Sequence, residues 1–406
     1  MISTRVEKHV IRKSNKWYSM IDEYCHLSKN LYNHGNYLIR KKLSENDKWI
    51  RYDELNRILK FDTEFPDYKA MPLAQCAQQT LRMLDKNWKA FFVAIKSWSK
   101  NKSKYLGRPK APKYLKKDGK FELILTNQNC RIKDNNIIFP KAFNGFSINT
   151  KCIDRADFVK FNQIRIIPKQ QYFVVEVVYE IECTDALPDN GRYLGIDIGV
   201  ANLATCAVSD GSFAFIINGR PLKSMNQFYN KRKAEIQSEL LKTSNQKYSN
   251  HLIRLDTKRN FKIDDYMHKA SKKIVSYCVA NHINTIIIGK NKEWKQHVNI
   301  GKRNNQTFTQ IPFARFISMI EYKAKEYGIA VVMTEESYTS GTSFIDNEEP
   351  VKANYNMSRR VKRGLFKSNN GTCINADLNG AYQIIKKVIP IKWDRGCVLH
   401  PVLVAV

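Results

Sequence analysis

The chain has 406 residues, room for two or three modules of ~100–200 residues, and its 43% hydrophobic and 11% aromatic content fills real cores, which excludes a disordered protein. Its 68 Lys and Arg against 38 Asp and Glu leave a net charge of +30, a self-repulsion that points to a polyanionic partner, nucleic acid first. No apolar run approaches the ~20 residues of a membrane span and no signal peptide opens the sequence, so a soluble, cytoplasmic protein without membrane contact is expected.

Residues 3–10 alternate and predict a strand; residues 17–43 predict a helix with Tyr24, Leu27, Leu31 and Leu38 on one face, and a second helix follows. From Met71 to Trp98 the positions Ala77, Leu81, Leu84, Trp88, Phe91, Ile95 and Trp98 recur at steps of four and three, the seam of a helix packed on another helix. Residues 101–120 change character: Lys102, Lys104, Arg108, Lys110, Lys113, Lys116, Lys117 and Lys120 face only Asp118, while Pro109 and Pro112 exclude helix. A run of like charge is ordinarily a solvated surface. Here Tyr105 and Tyr114 interleave and offer stacking faces, so the segment reads as a phosphate contact through Lys102, Lys104, Arg108, Lys110 and Lys113. Gln75, Gln78 and Gln79 on the long helix carry amides able to pair with adenine edges.

Short β-rich runs at 121–125, 137–139, 146–148, 163–167 and 172–181 predict a small barrel or sandwich, and residues 185–191, with Pro188 and Asn190, form a linker. Beyond it, Tyr193 to Gly199 read as an apolar strand in which Asp197 shares a face with Gly195 and Gly199. Strands at 203–208 and 213–217, joined by Ser209-Asp210-Gly211, complete an antiparallel meander, the opening of an RNase H-like fold. Helices then alternate with the strands 285–289 and 329–333, and a last helix runs from Asp377, an α/β order. The nine cysteines stand singly with no C-x-x-C pair, so reduced thiols are expected, with neither zinc nor disulfides.

Three acidic positions remain: Asp197 inside a strand, Glu335 and Glu336 at a strand's end, Asp377 opening a helix. Singly each has a plain reading, Asp377 as a helix N-cap and the glutamates as a solvated strand end. Asp197 resists it, since an acid in an apolar strand must be satisfied. Together, three carboxylates at one sheet edge suit two Mg²⁺ or Mn²⁺ ions and phosphodiester hydrolysis. The rival built on the same strand and hairpin, an actin-like or sugar-kinase-like ATPase, needs a Gly-rich adenosine segment and no +30 charge.

Gly195-Ile196-Asp197-Ile198-Gly199, Tyr338-Thr339-Ser340 and Asn375-Ala376-Asp377-Leu378-Asn379-Gly380-Ala381 resemble the TnpB family of transposon-encoded nucleases related to type V CRISPR effectors. So do Ala74-Gln75-Cys76-Ala77-Gln78 and the run from Gly107 to Tyr114. The resemblance implies a multidomain α+β protein: a split β-barrel wedge domain (residues 1–14 and 119–186), an inserted helical recognition domain with the basic linker (15–118), and an RNase H-like RuvC nuclease domain (187–406). It implies an RNA-guided DNA endonuclease whose partners are a guide RNA from its own element and double-stranded target DNA, a monomer being the expected state. Catalytic and metal-binding roles fall on Asp197, one of Glu335 and Glu336, and Asp377.

Two departures qualify the resemblance. Most members place the second acid just after the strand that here ends Ile288-Gly289-Lys290-Asn291; this chain resembles the branch in which that acid has moved to Glu335-Glu336, with Glu293 the lesser alternative. Residues 337–372, where most members carry a zinc ribbon, hold no cysteine, which implies a metal-free insertion whose Arg359, Arg360, Lys362, Arg363 and Lys367 touch nucleic acid. Gly289 also keeps open a guided DNA-binding repressor that has lost cleavage.

Overall fold

The computed structural model describes the chain except residues 46, 47, 245, 247, 292–298, 300 and 395, and the side chains of 302 and 303; Glu293 lies outside the described residues. The chain divides into two units, residues 2–182, and residues 183–406 with Met1.

In the first unit, β1 (Ile2–Arg12) is followed by four helices, α1 (Tyr18–Ser44), α2 (Tyr52–Phe61), the short α3 (Asp67–Ala70) and α4 (Ala74–Lys100). Then come β2 (Leu123–Thr126), β3 (Arg131–Lys133), β4 (Asn136–Ile138), β5 (Ser147–Asn149), β6 (Phe158–Pro168) and β7 (Tyr172–Glu182). They form a four-stranded sheet in the order β1-β7-β6-β2 and a three-stranded sheet β3-β4-β5. β1 pairs antiparallel with β7 along its whole length, Ile2 opposite Glu182 and Arg12 opposite Tyr172, so the helices are an insertion between two strands of one sheet. The predicted seam of α4 holds over Ala77, Leu81, Leu84 and Trp88, all buried, and fades beyond, where Phe91, Ile95 and Trp98 are half-exposed. It packs on α1, whose buried residues include Ile21, Cys25, Ser28, Leu31, Tyr32 and Ile39; of the predicted Tyr24, Leu27, Leu31 and Leu38 only Leu31 is buried, so the face lies one step round. The reason is size and polarity: a Cβ on Gly35 of α1 would meet Leu84 Cδ2 at 2.9 Å, and Ser28 and Asn36 satisfy Thr80 (2.9 Å) and the Trp88 indole (3.0 Å) inside the interface.

The second unit opens with the predicted meander, β8 (Tyr193–Asp197), β9 (Asn202–Val208) and β10 (Ala214–Asn218). Helices α5 (Arg220–Thr243) and α6 (Asn250–Ala280) lead to β11 (Thr285–Gly289), and α7 (Lys302–Gln310) and α8 (Phe313–Glu326) lead to β12 (Ala330–Thr334). A hairpin of β13 (Leu365–Lys367) and β14 (Cys373–Asn375), helix α9 (Ala376–Lys386) and β15 (Val402–Val404) close the chain. The six-stranded sheet runs β12-β11-β8-β9-β10-β15, with β8, β11 and β12 mutually parallel and β15 parallel to β10. Alternation along β8 and β11 feeds two cores: Leu194, Ile196, Ile286 and Ile288 pack with α6 and α8, while Tyr193 and Ile287 pack with Leu378, Ala381 and Ile385 of α9. Helices thus cover both faces of a mixed sheet, a mixed α+β architecture. No described helix is long and apolar enough to cross a membrane.

Candidate active site

The α9 face of β8 carries Gly195 and Asp197. A side chain at 195 has no room, since its Cβ would lie 2.6 Å from the Ala381 carbonyl and 2.4 Å from Ile385 Cγ1; glycine lets α9 lie directly on the strand. That contact delivers the start of α9 to the end of β8, and with it Asp377 to Asp197. Asp377 is not the helix cap. Asn375 caps α9, its Oδ1 accepting from the Asp377 and Leu378 amides at 3.0 and 3.1 Å, which leaves the Asp377 carboxylate free to face the cleft. There it accepts from Asn202 Nδ2 at 2.7 Å and pairs with Arg360 at 3.3 Å.

The glutamates separate. Glu336 lines the same cleft of about 1490 Å³ as Asp197 and Asp377, whereas Glu335 is exposed and accepts from the Ser337 hydroxyl at 2.5 Å. Asn291, just past β11, holds Glu336 from two sides: its Oδ1 accepts the Glu336 amide at 3.0 Å and its Nδ2 donates to Glu336 Oε1 at 3.3 Å. The same geometry explains Gly289. A Cβ there would sit 2.5 Å from Ile384 Cδ1 and 3.3 Å from Glu336 Cβ, so the space an acid at the end of β11 would need is filled by α9 and by Glu336 itself.

The electrostatics follow from crowding of like charge. Asp197 borders the cleft, and burial, reinforced by Asp377 and Glu336 and opposed by Arg360, pushes its carboxyl up to about 8. Burial also raises Glu336, against the pull of Lys387. Among the described residues, no three His, Cys, Asp or Glu side chains converge closely enough to hold one ion as they stand. The donor set is nevertheless one a hard divalent cation fits: carboxylate oxygens whose mutual repulsion a cation relieves. Gly380 keeps room for the Asp197 carboxylate, because a Cβ there would lie 2.8 Å from Asp197 Oδ2. Gly380→Ala raises helix propensity by about 1 kcal/mol, so the fold should persist. Displacing the carboxylate should still slow any chemistry that depends on it by about tenfold to a hundredfold. Melting curves check the first expectation and rates of that chemistry on the same variant the second.

The other candidate residues divide. Arg360, Lys362 and Arg363 line the cleft and Lys367 is exposed on β13, but Arg359 is mostly buried against Glu348 at 2.6 Å and holds the insertion together. Glu348 also accepts the Ser343 amide at 2.8 Å, and buried Asn379 bridges to Thr342 and Phe344, so the segment is tied to α9 by hydrogen bonds. In the first unit Lys102 and Arg108 sit over the Trp98 ring, at 5.3 and 5.8 Å, while Lys104, Lys110 and Lys113 are exposed. Gln75 is engaged, donating to Gln128 and accepting from Thr126, each at 2.7 Å; Gln78 and Gln79 are half-buried. Sequence reasoning missed Asn202 and Asn291, amides at strand ends that carry no local signal. All nine cysteines are free thiols, seven of them buried.

Two family models match the chain, the OrfB_IS605 probable transposases over residues 176–295 and the Cas12f1-like TNB domain over 313–384. A CRISPR-associated endodeoxyribonuclease Cas12f2 from Micrarchaeota archaeon (strain CG1_02_47_40) is 28% identical over 54% of this chain and 41% of its own length. The TnpB-like protein ORF457 of Acidianus two-tailed virus is 27% identical over 51% of this chain and 44% of its own. The chain therefore spans less than half the length of these curated relatives. In fold it is similar to Cas12f1 solved with sgRNA and target DNA, at a TM-score of 0.55, 14% identity, 90% of this chain and 82% of that one. It is also similar to the mini RNA-guided endonuclease CRISPR-Cas_phi3, at a TM-score of 0.50, 10% identity, 97% of this chain and 94% of that one. With the OrfB_IS605 match beginning in β7 and running past β11, and the TNB match running from α8 into α9, this chain is similar to the TnpB-like proteins and to Cas12f over most of its second unit.

Proposed function

We propose that the chain is an RNA-guided DNA endonuclease of the TnpB type, cutting double-stranded DNA after a guide RNA pairs with one strand. The observation that carries it is the meeting of Asp197, Glu336 and Asp377 from three elements in one cleft of a chain with net charge +30. Asp197, Glu336 and Asp377 would hold Mg²⁺ or Mn²⁺, which when bound supplies an activated water and stabilises the leaving oxygen. The chain's own groups do the rest. Asn291 fixes the Glu336 carboxylate, Asn202 orients Asp377, and Lys362 and Arg363 bring cations to the cleft for the phosphate backbone. Arg360 neutralises Asp377 and is placed to pass its guanidinium to a phosphate oxygen. The test is to sequence the RNA that copurifies with the protein, then offer DNA matching it: one discrete RNA and cleavage of the matched duplex alone is the expected result, and random cellular RNA with unguided cutting overturns it.

A stability measurement checks the metal site without activity. The Asp197 carboxyl is held at about 8 in the fold but near ~3.9 in an unfolded chain. Between those values the folded state keeps a proton the unfolded state has lost, so Asp197 costs stability progressively as pH rises from ~4 through about 8, at about 1.4 kcal/mol per unit. In chelator, Asp197→Asn should melt higher than the parent at pH 8, with the gap closing toward pH 4. Adding Mg²⁺ should raise the parent and leave the variant unmoved.

A further inference from the structure

Residues 108–116 have no regular secondary structure, yet α1 holds their backbone in place. Asn33 donates from Nδ2 to the Leu115 carbonyl at 2.9 Å and accepts the Leu115 amide at 2.8 Å, as a strand partner would. Asn36 and Arg40 both donate to the Pro112 carbonyl, and Lys29 donates to the Lys117 carbonyl at 2.8 Å. The segment therefore runs antiparallel to α1, and the Arg40 guanidinium lies 5.2 Å from the Tyr114 ring.

Pro109 and Pro112 fix their own φ and push Arg108 and Ala111 toward extended backbone. The Pro112 and Leu115 carbonyls, three residues apart, both turn toward α1, the period of a polyproline II helix. In a polyproline II conformation Lys110, Lys113 and Lys116 would lie along one other edge, with ~9 Å between successive residues at ~3.1 Å of rise each. All three are exposed and, among the described residues, make no ion pair. A free tail of lysines loses its conformational freedom on binding; a stretched, clamped one has already lost it.

We propose that α1 stretches this segment into a rail for the phosphates of one nucleic-acid strand, with Lys110, Lys113 and Lys116 as its contacts and Asn33 as its positioning residue. The rail rests on the nucleic-acid-binding half of the proposed function and not on cleavage. The experiment is a double-mutant cycle on the full chain, comparing Asn33→Ala, the triple variant Lys110→Gln/Lys113→Gln/Lys116→Gln and their combination. Binding of a labelled single-stranded RNA and of a duplex DNA is measured over a salt series, so that the arm showing coupling identifies the strand held. The triple variant should flatten the slope of log K against log salt by about 2 on RNA or nearly 3 on DNA, from ~0.7 and ~0.9 per contact. Asn33→Ala should weaken binding roughly threefold to tenfold in the parent and add nothing to the triple variant. An unchanged slope in the triple variant, whose exposed side chains do not bear on folding, overturns the rail, as does an Asn33→Ala loss of equal size in both backgrounds. A parent that binds neither nucleic acid overturns the rail and the proposed function together; good binding without coupling overturns the rail alone.

Discussion

Asp197→Ala is expected to abolish DNA cleavage while leaving guide-dependent DNA binding intact. Burial and two further carboxylates, Asp377 and Glu336, bear on Asp197, so a cation in the cleft relieves that crowding directly. Removing it takes a charge from a crowded acidic site and leaves the cores of both sheet faces untouched, because its neighbours on the strand, Ile196 and Gly195, keep their packing. Gel-shift and cleavage assays on one preparation separate the two properties. Full cleavage by the variant refutes the assignment of the active site; loss of both binding and cleavage would mean that Asp197 supports the fold instead.

Glu336→Gln is expected to be as inactive as Asp197→Ala, while Glu335→Gln cuts at close to the parent rate. The amide keeps the shape and the Asn291 contact at Glu336 and removes only the charge, so a loss reports what the charge was for. Glu335 is exposed and turned to Ser337, and its neutralisation removes a surface charge. Equal activity of the two glutamine variants, or loss confined to Glu335→Gln, contradicts the geometry. Asn291→Ala is a useful companion: it should lower the rate without erasing it, since Glu336 keeps its charge and loses its hold.

What the sequence made legible and what it hid follow from the range of the interactions. Asp197 stood out because an acid within an apolar strand is a local anomaly, whereas the helix lying on Gly195 did not, because the sequence shows a glycine without showing what fills the gap beside it. Glu335 and Glu336 were indistinguishable, since adjacent residues face opposite ways and only the turn beyond β12 decides which way is inward; here Thr339 closes that turn on the Glu336 carbonyl at 2.8 Å. Asp377 looked like a cap until Asn375, a better one two residues earlier, was seen to fill that role. The face of α1 was misjudged by one step because Ser28, Gly35 and Asn36 are not apolar, yet they lie where α4 packs most closely. β15, three residues long and paired only at the sheet's edge, had no periodicity to reveal it.

Gly289 carries a lesson for how such chains are sorted. An active site inventory that walks down a column of aligned residues expects a carboxylate at the end of β11, finds glycine, and files the chain as catalytically dead. The cleft keeps no such column. Glu336 reaches it from just beyond the end of the neighbouring strand β12, which pairs in register with β11, and its Cβ lies 3.3 Å from where a Cβ at position 289 would be. Two genes that disagree at this position can therefore present the same charge at nearly the same point in space, and degenerate copies are better told from working ones by counting carboxylates in the cleft than by counting them along the chain.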